Sequence, residues 1–474
     1  MILEVSRKQE YIFASNKLRE NAARSGDIAY VTDSAFFKKA AGGLYREDEN
    51  LVYSGGGHTV LQFDSREQAT TFAKKVTETV LREYQGLELF VKHMPYNSGS
   101  TPGENLKELS AALERKKSVR QSGFHQLSFG VEALDSVNFE PVICGENPIR
   151  RPSQISRINP PAGWNFPYEF EKLAGKDNFI AVIHIDGNAM GKRVDSVYDR
   201  SGQDWESCRS GLRKFSDGIQ KDFEKAFTEM ADEVARQFPD LMPDLPVRPV
   251  ILAGDDVCFV SAGKIGLECA RVFLEKLTAK TNQEDGAPYA ACAGVALVHK
   301  KFPFHRAYDL SEELCSSAKR FGAELDPNGR VSAMDWHIEF GELKDSLAEL
   351  RRDYICEDST EEEPGRMELR PVAVIVPPSC GDAGVRSYES FKELCFAIKS
   401  ESGKIARSKI KNLRQAIKQG KLETKFFLHD KQINDLLYQG NGGQAFITVD
   451  GVRRCLFFDA LEMIDHFTAF EMIK

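Results

Sequence analysis

The chain has 474 residues, 42% of them hydrophobic, and a formal net charge of −8. That is enough for about two to four domains with cores of their own, and the acidic balance excludes indiscriminate nucleic-acid binding. No apolar run reaches the length of a membrane span and no signal-peptide pattern opens the chain, so a cytoplasmic address is expected. The ten cysteines are scattered with no Cys-x-x-Cys pair, which argues against a disulfide framework and a zinc ribbon.

In chain order, Met1 to Val5 reads as a short strand and Gln9 to Ala23 as a helix. Leu51 to Phe63 is a pair of apolar runs joined by Ser54-Gly55-Gly56-Gly57, the pattern of a hairpin. A helix over Ser65 to Tyr84, a strand over Leu87 to Lys92 and a helix over Glu104 to Lys117 follow. Residues 121–176 are rich in Pro and Arg, lack periodicity, and read as a connector. Phe179 to Asp186 is an apolar strand ending in an acid, followed by Gly187-Asn188-Ala189-Met190-Gly191-Lys192. After Asp204, Phe215, Ile219, Phe223, Phe227, Met230 and Val234 recur at helical spacing, which predicts a core-facing stripe. Pro249 to Val260 is a second hairpin, hinged at Ala253-Gly254-Asp255-Asp256. Lys264 to Lys280 reads as a helix, Tyr289 to Val298 as a strand and Phe304 to Arg320 as a helix. The order strand, helix, hairpin, helix, strand, helix thus occurs twice. It predicts an internal duplication: two ferredoxin-like palms, an α+β fold, with a helical C-terminal part.

The chemistry concentrates in the second copy. Adjacent carboxylates at Asp255 and Asp256 repel each other unless they are solvated or share a cation, and a hard divalent ion is the usual remedy. If the Phe179 strand lies beside the hairpin, Asp186 joins them, and three acids suit two-metal phosphoryl transfer. Asp is also a common turn residue, so the pair alone proves little; the combination carries the reading. Gly187 and Gly191 allow backbone N–H groups close to phosphate oxygens. The run Gly187 to Lys192 is not a P-loop, being one residue short and lacking the Ser or Thr. Gly55, Gly56 and Gly57, with Ser54, stand where the acids stand in the second copy. They make either a tight turn or room for a nucleotide, and His58 beside them lines that room or is structural. Lys319 and Arg320 either reach a triphosphate or complement a helix C-terminus.

Asp186-Gly187-Asn188 with Gly191-Lys192, Gly254-Asp255-Asp256, and Ala293-Gly294-Val295-Ala296 running into Phe302-Pro303-Phe304-His305-Arg306-Ala307 together resemble the polymerase-type palm of the large subunit of type III CRISPR effector complexes. The GGDEF nucleotide cyclases are more distant relatives of that palm. The resemblance implies a metal-dependent nucleotidyltransferase that condenses ATP, or another nucleoside triphosphate, into cyclic oligonucleotide messengers of antiviral defence. It implies Asp186, Asp255 and Asp256 as ligands of two Mg²⁺ (or Mn²⁺) ions, and Gly187, Asn188, Gly191, Lys192, Gly254 and Lys319 around the donor. The acidless palm, Ser54 to Gly57, would hold the acceptor. Guide RNA, other effector subunits and a second copy of the chain are the expected macromolecular partners, with no membrane. Three other readings stay open: a cyclic dinucleotide synthase, a non-catalytic nucleotide- or RNA-binding scaffold, and a stand-alone defence sensor. Two family elements are not expected. Pro141-Val142-Ile143-Cys144-Gly145 keeps one cysteine of a zinc element, too few to hold the metal. His429-Asp430 is an isolated pair, so no DNase activity is expected.

The expected domains are residues 1–120, the acidless palm; 121–176, the connector; 177–340, the catalytic-type palm; and 341–474, a mainly helical part. In the last, Arg407, Lys411, Arg414 and Lys418 form a basic stripe that suits an RNA backbone or a solvated helix face equally.

Overall fold

A computed structural model describes residues 1–84, 86–119, 131, 158–341, 346–357, 364–401, 407–431 and 444–472. Its first half begins with β1 (Ile2–Ser6), α1 (Lys8–Ile12), α2 (Leu18–Val31), α3 (Ser34–Ala41) and α4 (Glu47–Asn50). The hairpin β2 (Leu51–Gly55) and β3 (His58–Leu61) comes next, then α5 (Arg66–Glu83), β4 (Glu88–Lys92) and α6 (Pro102–Ser118). Local chemistry sets these boundaries. Ser65 caps α5, and Thr101 with Glu104 forms a reciprocal capping box at the start of α6, with Pro102 in its first turn. The sheet order β2-β3-β1-β4 is the antiparallel arrangement of a ferredoxin-like palm. The helix expected over Gln9 to Ala23 is instead broken into α1 and α2 around Phe13 to Lys17.

After α7 (Phe170–Ala174), the second half opens with β5 (Phe179–Gly187), α8 (Met190–Ser201) and α9 (Trp205–Gln237). Asp204 caps α9 through the N–H groups of Glu206 and Ser207. The hairpin β6 (Val247–Ala253) and β7 (Asp256–Ala262), α10 (Gly266–Thr278), β8 (Ala291–His299), α11 (Phe304–Leu325) and β9 (Ser332–Glu339) complete the palm. The order β8-β5-β7-β6 repeats that of the first sheet, and β9 runs parallel to β8 beyond it. β5 lies at the centre with both faces covered. Ala181, Ile183 and Ile185 face the core built on α9 and α10, whereas Ile180 and Val182 face the core shared with α11 and the first half. That double coverage is why the strand shows no polar alternation. The α9 stripe from Phe215 to Val234 is buried as predicted.

The C-terminal part contains α12 (Leu347–Leu350), β10 (Val372–Ile375), α13 (Tyr388–Glu401), α14 (Arg407–Gln419), α15 (Lys421–Asp430), the hairpin β11 (Phe446–Val449) and β12 (Val452–Cys455), and α16 (Phe458–Glu462). It is largely helical, but β10 pairs antiparallel with β9 and so extends the second sheet to six strands. Arg370 ties this part together: fully buried, it pairs with Asp459 at 3.0 Å and Glu462 at 2.6 Å and lies over the Trp336 ring of β9. No helix among the described residues is long and apolar enough to cross a membrane. Cys144 lies outside the described residues.

Candidate active site

The second hairpin turns through Gly254 and Asp255, with Ala253 opposite Asp256. Gly254 has φ +72° and Asp255 does not share the positive sign, the pattern of a two-residue turn with glycine first. Asp256 then opens β7 directly across from Asp186 on β5. Asp255 sits against Gly187, where a Cβ would come within 2.9 Å of the Asp255 Cβ. Three acids therefore share one edge of the sheet, and Gly187 is there for close packing. Their side chains do not already converge as a ligand set; among the described residues no three His, Cys, Asp or Glu side chains do. Asp186 instead accepts from Lys319 Nζ at 2.5 Å, and the same ammonium donates to the Gly187 carbonyl at 3.0 Å. Asp256 is 46% exposed at its side chain, but its Oδ1 is shut off from solvent with no hydrogen-bond partner. Burial, then repulsion from Asp186, pushes both Asp255 and Asp256 up to about 6. Burial opposes the charge on Lys319, yet Asp186 outweighs it and raises its pKa.

Lys319 reaches this edge because α11 lies flat on β8. Gly294 faces the helix so closely that a Cβ would fall on the backbone of Ser311 and Cys315. The small residues of Ala291 to Val295 thus serve helix approach, and the approach delivers the lysine.

The first hairpin meets the second tip to tip. Gly56 and Gly57 have φ +58° and +77°, as a two-residue turn with two left-handed positions requires. A Cβ on Gly254 would stand 3.9 Å from the Gly56 nitrogen, and one on Gly56 would stand 3.9 Å from the Ala253 carbonyl. Beside these tips lies a cavity of about 630 Å³ whose walls include Ser54 to Gly57, Lys8, Arg213, Gln220, Tyr308 and Asp256. The two halves are clamped around it by Ser216 Oγ donating to the Ser54 carbonyl at 2.8 Å and by Arg213 pairing with Glu47 at 3.2 Å. A larger cavity, about 1010 Å³, lies on the other side of Asp186, between α11 and the C-terminal part.

Residues 179–324 match the family model described as Cas10/Cmr2, second palm domain. This segment is similar in sequence to a Cas10/Cmr2 palm. The motif resemblance is thereby borne out over β5 to α11. Across the whole chain the fold is that of solved Csm1 structures. Csm1 in T.onnurineus matches with TM-score 0.57 and 15% identity over 98% of this chain and 69% of that one. Chains of the Csm1-Csm4 cassette in complex with pppApApA and with cA4 match over all of this chain and 69% of theirs, with TM-scores 0.56 and 0.55 and identities of 13% and 14%. In a cassette with one ATP, the chain spans 53% of its counterpart's length. No curated relative matches the sequence.

In this second palm the loop expected to cradle phosphate is mostly occupied. Asn188 donates from its side chain to the Val331 carbonyl at 2.8 Å, Gly191 and Lys192 belong to the first turn of α8, and Lys192 reaches the Pro327 carbonyl at 3.3 Å. Neither cavity flanking the acids has residues 188–192 in its walls. In the first half, the Ser54 hydroxyl donates to the Thr32 carbonyl at 2.9 Å. Burial, then Lys8, lowers His58 to about 4, which keeps it neutral. Sequence reasoning missed two residues here. Gln220 accepts from the Gly254 N–H at 2.7 Å and so fixes the tip, and Lys8 donates to the Gly56 carbonyl. Both come from helices with no motif of their own, so no local signal marked them. The basic stripe of α14 is partly used internally: Lys418 donates to the Ile355 carbonyl at 3.0 Å, and Arg414 stands 3.7 Å from Glu462.

Proposed function

We propose that this chain is a metal-dependent nucleotidyltransferase that condenses ATP, or another nucleoside triphosphate, into cyclic oligonucleotides. The observation that carries the reading is the meeting of an acidless glycine tip and the Gly254-Asp255 tip beside one cavity that contains Asp256. The family of the palm and the nucleotides named with its Csm1-Csm4 fold relatives support it. The acceptor would lie in the cavity that Gly55 to Gly57 help to line. Its 3′-oxygen would form a bond to the α-phosphorus of the donor. The bond from that phosphorus to the bridging oxygen would break, the electron pair leaving with pyrophosphate, and the hydroxyl proton would pass to the acidic edge or to water.

Asp186, Asp255 and Asp256 would hold Mg²⁺ or Mn²⁺. The orphaned Oδ1 of Asp256 and the Lys319 ammonium on Asp186 mark an edge that attracts positive charge. Such ions would lower the pKa of the attacking hydroxyl and neutralise the leaving pyrophosphate. Gln220 would hold the tip in register, Gly187 would let Asp255 approach β5, and Lys319 with the 187–192 segment would face the donor phosphates.

A second reading is a nucleotide-holding scaffold without turnover, favoured by the Lys319 contact that already occupies Asp186. The test is incubation of the purified protein with Mg²⁺ or Mn²⁺ and each labelled nucleoside triphosphate, alongside Asp255→Asn, Asp256→Asn. Product from the unmutated protein alone is expected, and its size separates cyclic dinucleotides from larger rings. Nucleotide binding without product from either protein would favour the scaffold.

A further inference from the structure

From Phe179 to Ile185, β5 is apolar at every position but one, and both of its faces are covered. The exception is His184, 6% exposed and two residues before Asp186. Leu or Phe would fill that space without burying a polar ring, so packing alone does not call for an imidazole. The surroundings of the ring narrow the reason. Tyr308 stands edge-on to it with centroids 5.5 Å apart, and Cys258 lies across from it on β7. Glu312 is already engaged, accepting from Gln9 at 2.6 Å and from Tyr308 at 3.0 Å. His184 Nδ1 is shut off from solvent without a hydrogen-bond partner, and so is Asp256 Oδ1, 3.7 Å away. Among the described residues no other carboxylate is in ion-pair reach of the ring. Burial lowers the His184 pKa and keeps the ring neutral, with a single N–H. With that proton on Nε2, two lone pairs would face each other; with it on Nδ1, a donor faces a carboxylate oxygen.

We infer that His184 is a positioning residue for Asp256: its Nδ1–H holds Oδ1 inward and so turns Oδ2 into the cavity beside the glycine tips. Oδ1 is closed off while the side chain as a whole is 46% exposed, so the exposure belongs to Oδ2 and Cβ, and Asp256 lines that cavity. His184 is not in the cavity's wall and acts only through the aspartate. The gap of 3.7 Å is longer than a hydrogen bond, and a small side-chain shift brings it to the ~2.9 Å of a charge-assisted one when the site is filled. The effect on rate rests on the nucleotidyltransferase reading, whereas the contact itself rests on the two orphaned atoms.

The test compares His184→Asn with His184→Gln in the full chain. The Asn amide nitrogen stands where Nδ1 stands, and the Gln amide nitrogen where Nε2 stands. Gln is nearer to His in size, so a packing role makes Gln the milder change; the Asp256 contact makes Asn the milder one. Two quantities are read, the affinity for Mn²⁺ alone by calorimetric titration and the initial rate of nucleotide condensation, with melting curves to show that both variants are folded. His184→Gln should weaken Mn²⁺ binding and lower kcat, each about tenfold, with KM little changed, whereas His184→Asn should lose no more than about threefold in either. Equal losses in the two variants, a milder Gln, a rise in KM at unchanged kcat, or wild-type behaviour of His184→Gln would overturn the assignment. In the wild type, the imidazole nitrogen NMR spectrum should show His184 as the Nδ1–H tautomer, and the Nε2–H tautomer would overturn the assignment without any variant. A wild type that makes no product yet binds Mn²⁺ more tightly than His184→Asn, and that variant more tightly than His184→Gln, would end the condensation reading and keep the contact. Product lost in Asp256→Asn but kept in His184→Gln would do the reverse, and a wild type that neither binds Mn²⁺ nor makes product would end both.

Discussion

Asp255 and Asp256 carry charges that the free protein would fold better without. Their folded pKa values of about 6 stand above the ordinary aspartate value because burial, then Asp186, opposes ionisation. A raised carboxylate means that the native state binds more protons than the unfolded one between about pH 4 and pH 6, so stability falls as pH rises through that window. Replacing both by Asn should therefore raise the melting temperature at pH 8, by about 1 kcal/mol of stability after allowing for solvent at the half-exposed Asp256, and leave it unchanged at pH 4. Mg²⁺ should raise the melting temperature of the wild type and not of the variant; calorimetric scans at both pH values check all three outcomes. These acids were legible in the sequence because two adjacent carboxylates interrupt an otherwise apolar hairpin. Gln220 and Lys8 were not, since their roles depend on partners 34 and 48 positions away that only the tertiary fold brings close.

At the scale of elements, both hairpins, their flanking helices and the α9 stripe followed from periodicity and glycine placement, since each is a local matter of turn chemistry and amphipathic spacing. The fit between α11 and β8 was less visible. A run such as Ala291 to Ala296 reads as an ordinary buried strand, and nothing local says that Gly294 is required by the backbone of Ser311 on the other side of the contact. Gly294→Ala should cost about 1–3 kcal/mol by overpacking. It should also push α11 outward, drawing Lys319 from Asp186 and lowering condensation activity more than the loss of stability explains. Urea unfolding and initial rates measured on the folded variant separate the two effects. In the segment Gly187 to Lys192, whose glycines suggested a phosphate cradle, what the sequence did not show is that Gly187 packs against Asp255 and that Gly191 lies in the first turn of α8. Likewise β10 escaped notice because four residues without alternation give no strand signal, and its place is set by the open edge of β9.

For the whole molecule, the duplication was readable because the same order of elements recurs at two places in one sequence, and the two sheet orders agree with it. How the copies sit was not readable, because the contacts between them, a shared apolar core with single polar pairs and two glycine tips, join residues far apart in the chain. That arrangement has a kinetic consequence. Since both halves of the proposed site are parts of one polypeptide, assembling it needs no encounter between molecules. Turnover per molecule should stay constant when the protein is diluted a hundredfold at fixed nucleotide, and a plot of rate against protein concentration should pass straight through the origin. An upward-curving plot would mean that a second copy supplies something the single chain lacks.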